Sequence, residues 1–145
     1  MNNNASSYDI VILGAGFGGL GMAAQLKREG VENFVILERA DRVGGVWRDN
    51  SYPGAACDTE SHLYCYSFYP HLGVSKMYAD RDELLGYLES MVEHFELDRH
   101  ILLNSEVSLA QWDDKDGLWN FEISGGSQVS GRFFVPAWGQ LNKPS

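Results

Sequence analysis

Cysteine is scarce in this chain. Two cysteines in 145 residues are too few for a disulfide scaffold or a four-ligand zinc site. Basic charge is scarce as well. Eleven lysines and arginines stand against 20 acidic residues, a formal net charge of −9. That excludes a basic nucleic-acid footprint and a polybasic membrane patch. Long apolar runs are missing. The nearest candidate, Ile10 to Ala24, follows Asp9 and is broken repeatedly by glycine. It falls short of the roughly 18–20 apolar residues that span a bilayer. Residues 1–7 are polar, without a basic cluster, and read as a disordered tail before one domain over residues 8–145. No membrane span and a cytoplasmic location are the expectation. The four histidines, His62, His71, His94 and His100, show neither an H-x-x-H nor an H-E-x-x-H spacing, so no metal site is expected.

What is present is strongly patterned. Tyr8–Leu13 is a β-branched apolar run whose continuous apolarity suits a strand covered on both faces. Gly18–Arg28 reads as a helix, with Leu20, Ala23, Ala24 and Leu26 facing inward and Gly30 as its C-terminal cap. Phe34–Glu38 is a second strand, so Tyr8–Glu38 has the length of a βαβ unit. Asp41–Pro70 is rich in turn formers and aromatics, the composition of a functional loop rather than a disordered one. Asp80–Phe95 is a helix, with Asp80 and Glu83 spaced for a capping box and Leu84, Leu85, Leu88, Met91, Val92 and Phe95 on one stripe. Beyond it the pattern is β: Ile101–Leu103, Glu106–Trp112, Leu118–Ser124 and Arg132–Ala137, with turns at Asp113–Gly117 and Ser124–Ser127. Trp112, Trp119 and Phe121 read as β-core, and Cys57 and Cys65 as free thiols.

The segment Gly14-Ala15-Gly16-Phe17-Gly18-Gly19 is a G-x-G-x-x-G between a strand and a helix. In that context Gly14 permits a tight turn, Gly16 admits a pyrophosphate to the backbone, and Gly19 lets helix and strand pack closely. The helix N-terminus supplies free N–H groups and a favourable dipole, so an acidic protein can still hold a diphosphate. Glu38, at the end of the second strand, is placed to accept hydrogen bonds from an adenosine ribose and to disfavour a 2′-phosphate there. The implied class is α/β: a Rossmann-like parallel sheet with flanking helices and a small β-meander. The fingerprint alone does not choose between NAD and FAD.

The stretch Glu38-Arg-Ala-Asp-Arg-Val-Gly-Gly-Val-Trp47, then Asn50 to Asp58 and Ser61 to Phe68, resembles the N-terminal region of flavin-dependent monooxygenases of the Baeyer–Villiger type. The resemblance continues through Arg81–Leu88, His100–Val107 and Arg132–Gly139 and so covers nearly the whole chain. It implies an FAD site in which Gly14, Gly16, Phe17, Gly19 and Glu38 hold the dinucleotide. Gly44, Gly45, Val46 and Trp47 would run beside the flavin. Tyr64 would contact the ring, and the Val107 backbone would read the adenine edge. Asp58 would act near the reactive side of the isoalloxazine; by its residues alone it reads equally as a loop Asp making an Asx-turn. The implied activity uses NADPH and O₂ to insert oxygen next to a ketone by way of a C4a-peroxyflavin, a species that must be kept from water. Enzymes of this family are several times longer. The resemblance therefore implies an incomplete FAD-binding domain without the NADPH domain, not catalytically competent alone. An N- or S-oxidising flavin monooxygenase and a non-catalytic FAD-binding module are the alternatives. Trp138 stands where the family has a small or modest residue.

Overall fold

The apolar run ahead of the glycine loop folds as the central strand of a six-stranded sheet in the computed structural model, which describes residues 6–141. In chain order the elements are β1 (Ser6–Leu13), α1 (Phe17–Arg28), β2 (Phe34–Leu37), a one-turn α2 (Val46–Asp49), α3 (Arg81–His94), β3 (Ile101–Leu102), β4 (Val107–Asp113), β5 (Leu118–Ile123) and β6 (Gln128–Pro136). The strand order is β3-β2-β1-β6-β5-β4. The first four are parallel, and β6-β5-β4 form an antiparallel meander.

Two strands start earlier than the sequence suggests. β1 begins at Ser6, so Ser6 and Ser7 belong to the sheet, paired with Val129 and Ser130; the rest of the expected tail lies outside the described residues. β6 begins at Gln128 instead of Arg132 because its first residues, 128–131, close a hairpin with β5, while residues 129–136 run parallel to β1. One strand thus belongs to both halves of the sheet.

That arrangement explains how β1 and β2 are covered on both faces. Ile12, Phe34 and Ile36 point into a core with Leu20, Ala23 and Ala24 of α1 and Leu88 and Met91 of α3. Their neighbours Val11, Val35 and Leu37 point the other way, onto Phe121, Ile123 and Val129. The two long helices therefore share one face, and the meander covers the other. Phe121 is the buried aromatic of that layer; Trp119 is partly buried, whereas Trp112 is exposed and donates its indole N–H to Asp114.

Helix ends follow local chemistry. α1 closes in a Schellman pattern, with Gly30 N–H on Lys27 O and Val31 N–H on Leu26 O. α3 starts after Asp80, but the reciprocal capping box does not form. The Asp80 carboxylate is taken by Lys76, and Glu83 accepts from the Ser75 N–H and hydroxyl. The loop from 41 to 79 is pinned by aromatics. Tyr66 donates its hydroxyl to Phe17 O, and Tyr87 Oη accepts from Tyr66 N–H at 2.9 Å and donates to Tyr69 O at 2.5 Å.

Candidate functional site

β1 hands over to α1 through a turn that only glycine can make. Gly14 has φ +108°, and a Cβ there would sit 2.6 Å from Ala137 O. A Cβ on Gly19 would sit 1.8 Å from Gly14 O, so the first turn of α1 lies directly on the loop it leaves. Gly16 is the cap residue, without a side-chain cap bond, and the first bond inside the helix is Leu20 N–H to Gly16 O at 3.0 Å. The N–H groups of Phe17, Gly18 and Gly19 therefore lack a helical acceptor.

A second loop docks on this turn backbone to backbone. Gly44 N–H donates to Ala15 O at 2.9 Å, and a Cβ on Gly45 would come within 3.0 Å of Gly16 Cα. α2 rises from that contact. Its far end is held by Arg81, which donates to Trp47 O at 2.7 Å and Arg48 O at 3.0 Å.

Glu38 closes the arrangement at the end of β2. It is only 4% exposed. Oε2 accepts from Ala15 N–H at 2.8 Å; Oε1 accepts from Ala40 N–H at 2.9 Å and from Arg48 Nη1 at 3.2 Å. A carboxylate offers about four lone-pair sites, so capacity remains for a ligand hydroxyl. Arg48 is 8% exposed. Its Nη1 also donates to Arg42 O, and its Nε and Nη2 form a two-point pair with Asp49 at 2.8 and 3.1 Å. Burial works against the guanidinium charge, but the bonds to Asp49 and the charges of Glu38 and Asp49 outweigh it and raise its pKa. Arg48 belongs to no motif, and nothing in the sequence pattern marks it as buried.

These groups line one cleft of about 500 Å³, within the size range of small-molecule sites. Gly14, Gly16, Phe17, Glu38, Gly45, Val46 and Val107 all face it, as do Arg48, Ser105 and the turn from Ala137 to Gln140, which were not singled out as ligand contacts in the sequence. Gly19 and Gly44 shape it from behind. Trp138 sits at its mouth, 59% exposed, with its ring 6.1 Å from that of Phe134. Trp47, Tyr64 and Asp58 do not line the cleft. Trp47 donates its indole N–H to Tyr64 Oη at 3.1 Å, and the Tyr64 ring meets Phe17 edge-on at 4.9 Å. Burial raises the Tyr64 phenol pKa, over the opposing effect of the Trp47 bond. Asp58 is exposed beside buried Cys57. Among the described residues no three His, Cys, Asp or Glu side chains are grouped to hold a metal, and no helix is long and apolar enough to cross a membrane.

A family model described as an NAD(P)-binding Rossmann-like domain matches residues 12–80. A Baeyer–Villiger monooxygenase of Streptomyces coelicolor is 43% identical over 93% of this chain and 26% of its own length. An FAD-binding monooxygenase, ktnD, of Aspergillus niger is 37% identical over 99% of this chain and 26% of its own. The crystal structure of a cyclohexanone monooxygenase from Rhodococcus sp. Phi1 bound to NADP+ superimposes with a TM-score of 0.89 at 37% identity, covering 98% of this chain and 28% of that one. The chain is thus similar in sequence and in its Rossmann-like fold to Baeyer–Villiger-type monooxygenases, and it spans about a quarter of the length of the relatives it matches.

Proposed function

We propose that this chain forms the FAD-cradling part of a Baeyer–Villiger-type monooxygenase, an enzyme that uses NADPH and O₂ to insert oxygen next to a ketone in a small organic substrate. The observation that carries the reading is the joining, in one cleft, of an unpartnered helix N-terminus, a glycine-to-glycine backbone contact and the buried Glu38 carboxylate. A diphosphate suits the first, its close approach needs the second, and a ribose hydroxyl suits the third. The residues present therefore fit FAD.

In this reading Phe17, Gly18 and Gly19 offer N–H groups to the diphosphate, Glu38 accepts from the adenosine ribose, and the Val107 backbone meets the adenine. Gly45 and Val46 lead toward the ring, with the Trp47–Tyr64 pair as a wall that excludes water. Asp58 is proposed as the charged group on the reactive side; its support is its motif position and its electrostatic influence on Tyr64. Bound FAD supplies the redox chemistry with O₂. In this reading the chain supplies about a quarter of such an enzyme, the share of its relatives that it spans. Both cysteines are free thiols, which fits a reducing, cytoplasmic setting.

The test is the flavin absorbance spectrum of the purified chain with and without added FAD, beside Gly16→Val. Gly16 has φ −91°, and a Cβ there makes only a 3.5 Å contact with Gly45. Valine is therefore tolerated by the fold and obstructs the cleft with its methyl groups. A flavin band retained by the wild type and lost in Gly16→Val supports the reading. A folded wild type that ignores FAD overturns it.

A further inference from the structure

Glu38 does not face the cleft alone. Its buried carboxylate is paired at 3.2 Å with Arg48, itself 92% removed from solvent and lining the same cleft. Carboxylates at this place in a dinucleotide fold select a free ribose 2′-hydroxyl, and arginines nearby accommodate a 2′-phosphate. Here both kinds of group are present and bonded to each other.

We propose that the Glu38–Arg48 pair, rather than Glu38 by itself, is the specificity determinant of this cleft: Glu38 repels a 2′-phosphate and at the same time masks the cation that would bind one. The inference rests on the dinucleotide reading of the cleft. Two features support it. The guanidinium is also held by the two-point pair of Nε and Nη2 with Asp49 and by the bond from Nη1 to Arg42 O, so it does not depend on Glu38 alone for its position. The carboxylate likewise keeps its Ala15 and Ala40 N–H donors without Arg48. Neutralising Glu38 therefore leaves a prepositioned, poorly solvated cation at the ribose end of the site, where a charge-assisted bond to phosphate is strong. Arg39 also borders the cleft, with Asp49 at 3.9 Å, and is more exposed than Arg48. It is the natural control.

The experiment compares binding of ADP and 2′,5′-ADP to the 145-residue chain by calorimetry. Wild type is expected to prefer ADP. Glu38→Gln is expected to shift the preference toward 2′,5′-ADP by about tenfold or more, the size of a hydrogen bond to a charged group. Adding Arg48→Met to Glu38→Gln should abolish the shift, adding Arg48→Lys should restore part of it, and adding Arg39→Met should leave it. A loss of fold affects both nucleotides alike and does not move the ratio. Because the glutamine amide meets the Ala15 N–H, Glu38→Ser, which vacates the space, is run in parallel. A shift that survives Arg48→Met, or that vanishes with Arg39→Met, overturns the proposal. Wild type that binds ADP, with no shift in either Glu38 variant, overturns it while leaving the dinucleotide reading intact. A folded wild type that binds neither nucleotide overturns both.

Discussion

Glycine to alanine inside a helix normally stabilises by about 1 kcal/mol through backbone entropy. Two glycines of this chain should respond to that change with opposite signs. Gly86 lies in the middle of α3 with nothing within 4 Å of an added Cβ. Gly86→Ala should therefore gain about 0.5–1 kcal/mol. Gly19 lies in the first turn of α1, where the new Cβ would fall 1.8 Å from Gly14 O, against the 3.0 Å that real Cβ atoms keep. The obstacle is backbone, and it cannot drift. Gly14 N–H is bonded to Leu37 O at 2.9 Å, and the neighbouring Leu13 O is held by Ala137 N–H at 2.9 Å. Overpacking of this kind costs about 1–3 kcal/mol and occasionally more. With a clash this deep the cost takes the upper end, so Gly19→Ala should lose about 2 kcal/mol net. In a domain of this size that is a fall in Tm of about 4–8 °C, against a rise of about 1–4 °C for Gly86→Ala. Urea unfolding with an unchanged m-value checks that the native state is the one affected. If both variants move Tm in the same direction, the close approach of α1 to the glycine turn is wrong.

Glu96 ends α3 with φ +53° in a Schellman pattern, its N–H on Glu93 O and Leu97 N–H on Val92 O. Glu96→Gly should stabilise by about 1 kcal/mol, read from denaturant midpoints, because the left-handed region penalises a Cβ. Tyr87→Phe removes the hydroxyl that serves Tyr66 N–H and Tyr69 O; leaving those groups unpaired should cost about 2 kcal/mol and speed proteolysis of the 41–79 loop before global unfolding. Burial pushes the Tyr87 phenol from the ordinary value near 10 up to about 12 and raises Tyr66 as well. The folded state holds these protons more tightly, so their contribution is complete below about pH 10 and is lost as pH rises through 12. Alkaline unfolding should begin in that window, tracked by phenolate absorbance alongside circular dichroism. A Tyr87 phenol that titrates near 10 in the folded protein contradicts its burial.

The parts of this protein that local chemistry decides were readable in its residues. Periodicity placed α1 and α3, because a helix must turn one stripe inward whatever it packs against. The glycine spacing placed the turn and its helix terminus, because only residues without a Cβ fit there. The position of Glu38 at the end of β2 followed from the length of one βαβ unit. Pairings between distant segments were decided only in three dimensions. Nothing local tells β6 to lie beside β1, more than a hundred residues earlier, or to pair its first residues with β5 on the other side as well. The same holds for Arg48. An arginine normally seeks solvent, and this one, in α2, is buried because Glu38, Asp49 and the Arg42 carbonyl converge on it once the Gly44–Gly45 segment docks against the glycine turn. The Trp47–Tyr64 bond and the exposure of Asp58 likewise depend on where the aromatic loop settles against α1 and α3. A sequence carries the preferences of each segment. Which charges end up buried together depends on tertiary packing, because the energy of a buried ion pair exists only when both partners and their remaining hydrogen bonds arrive at one place.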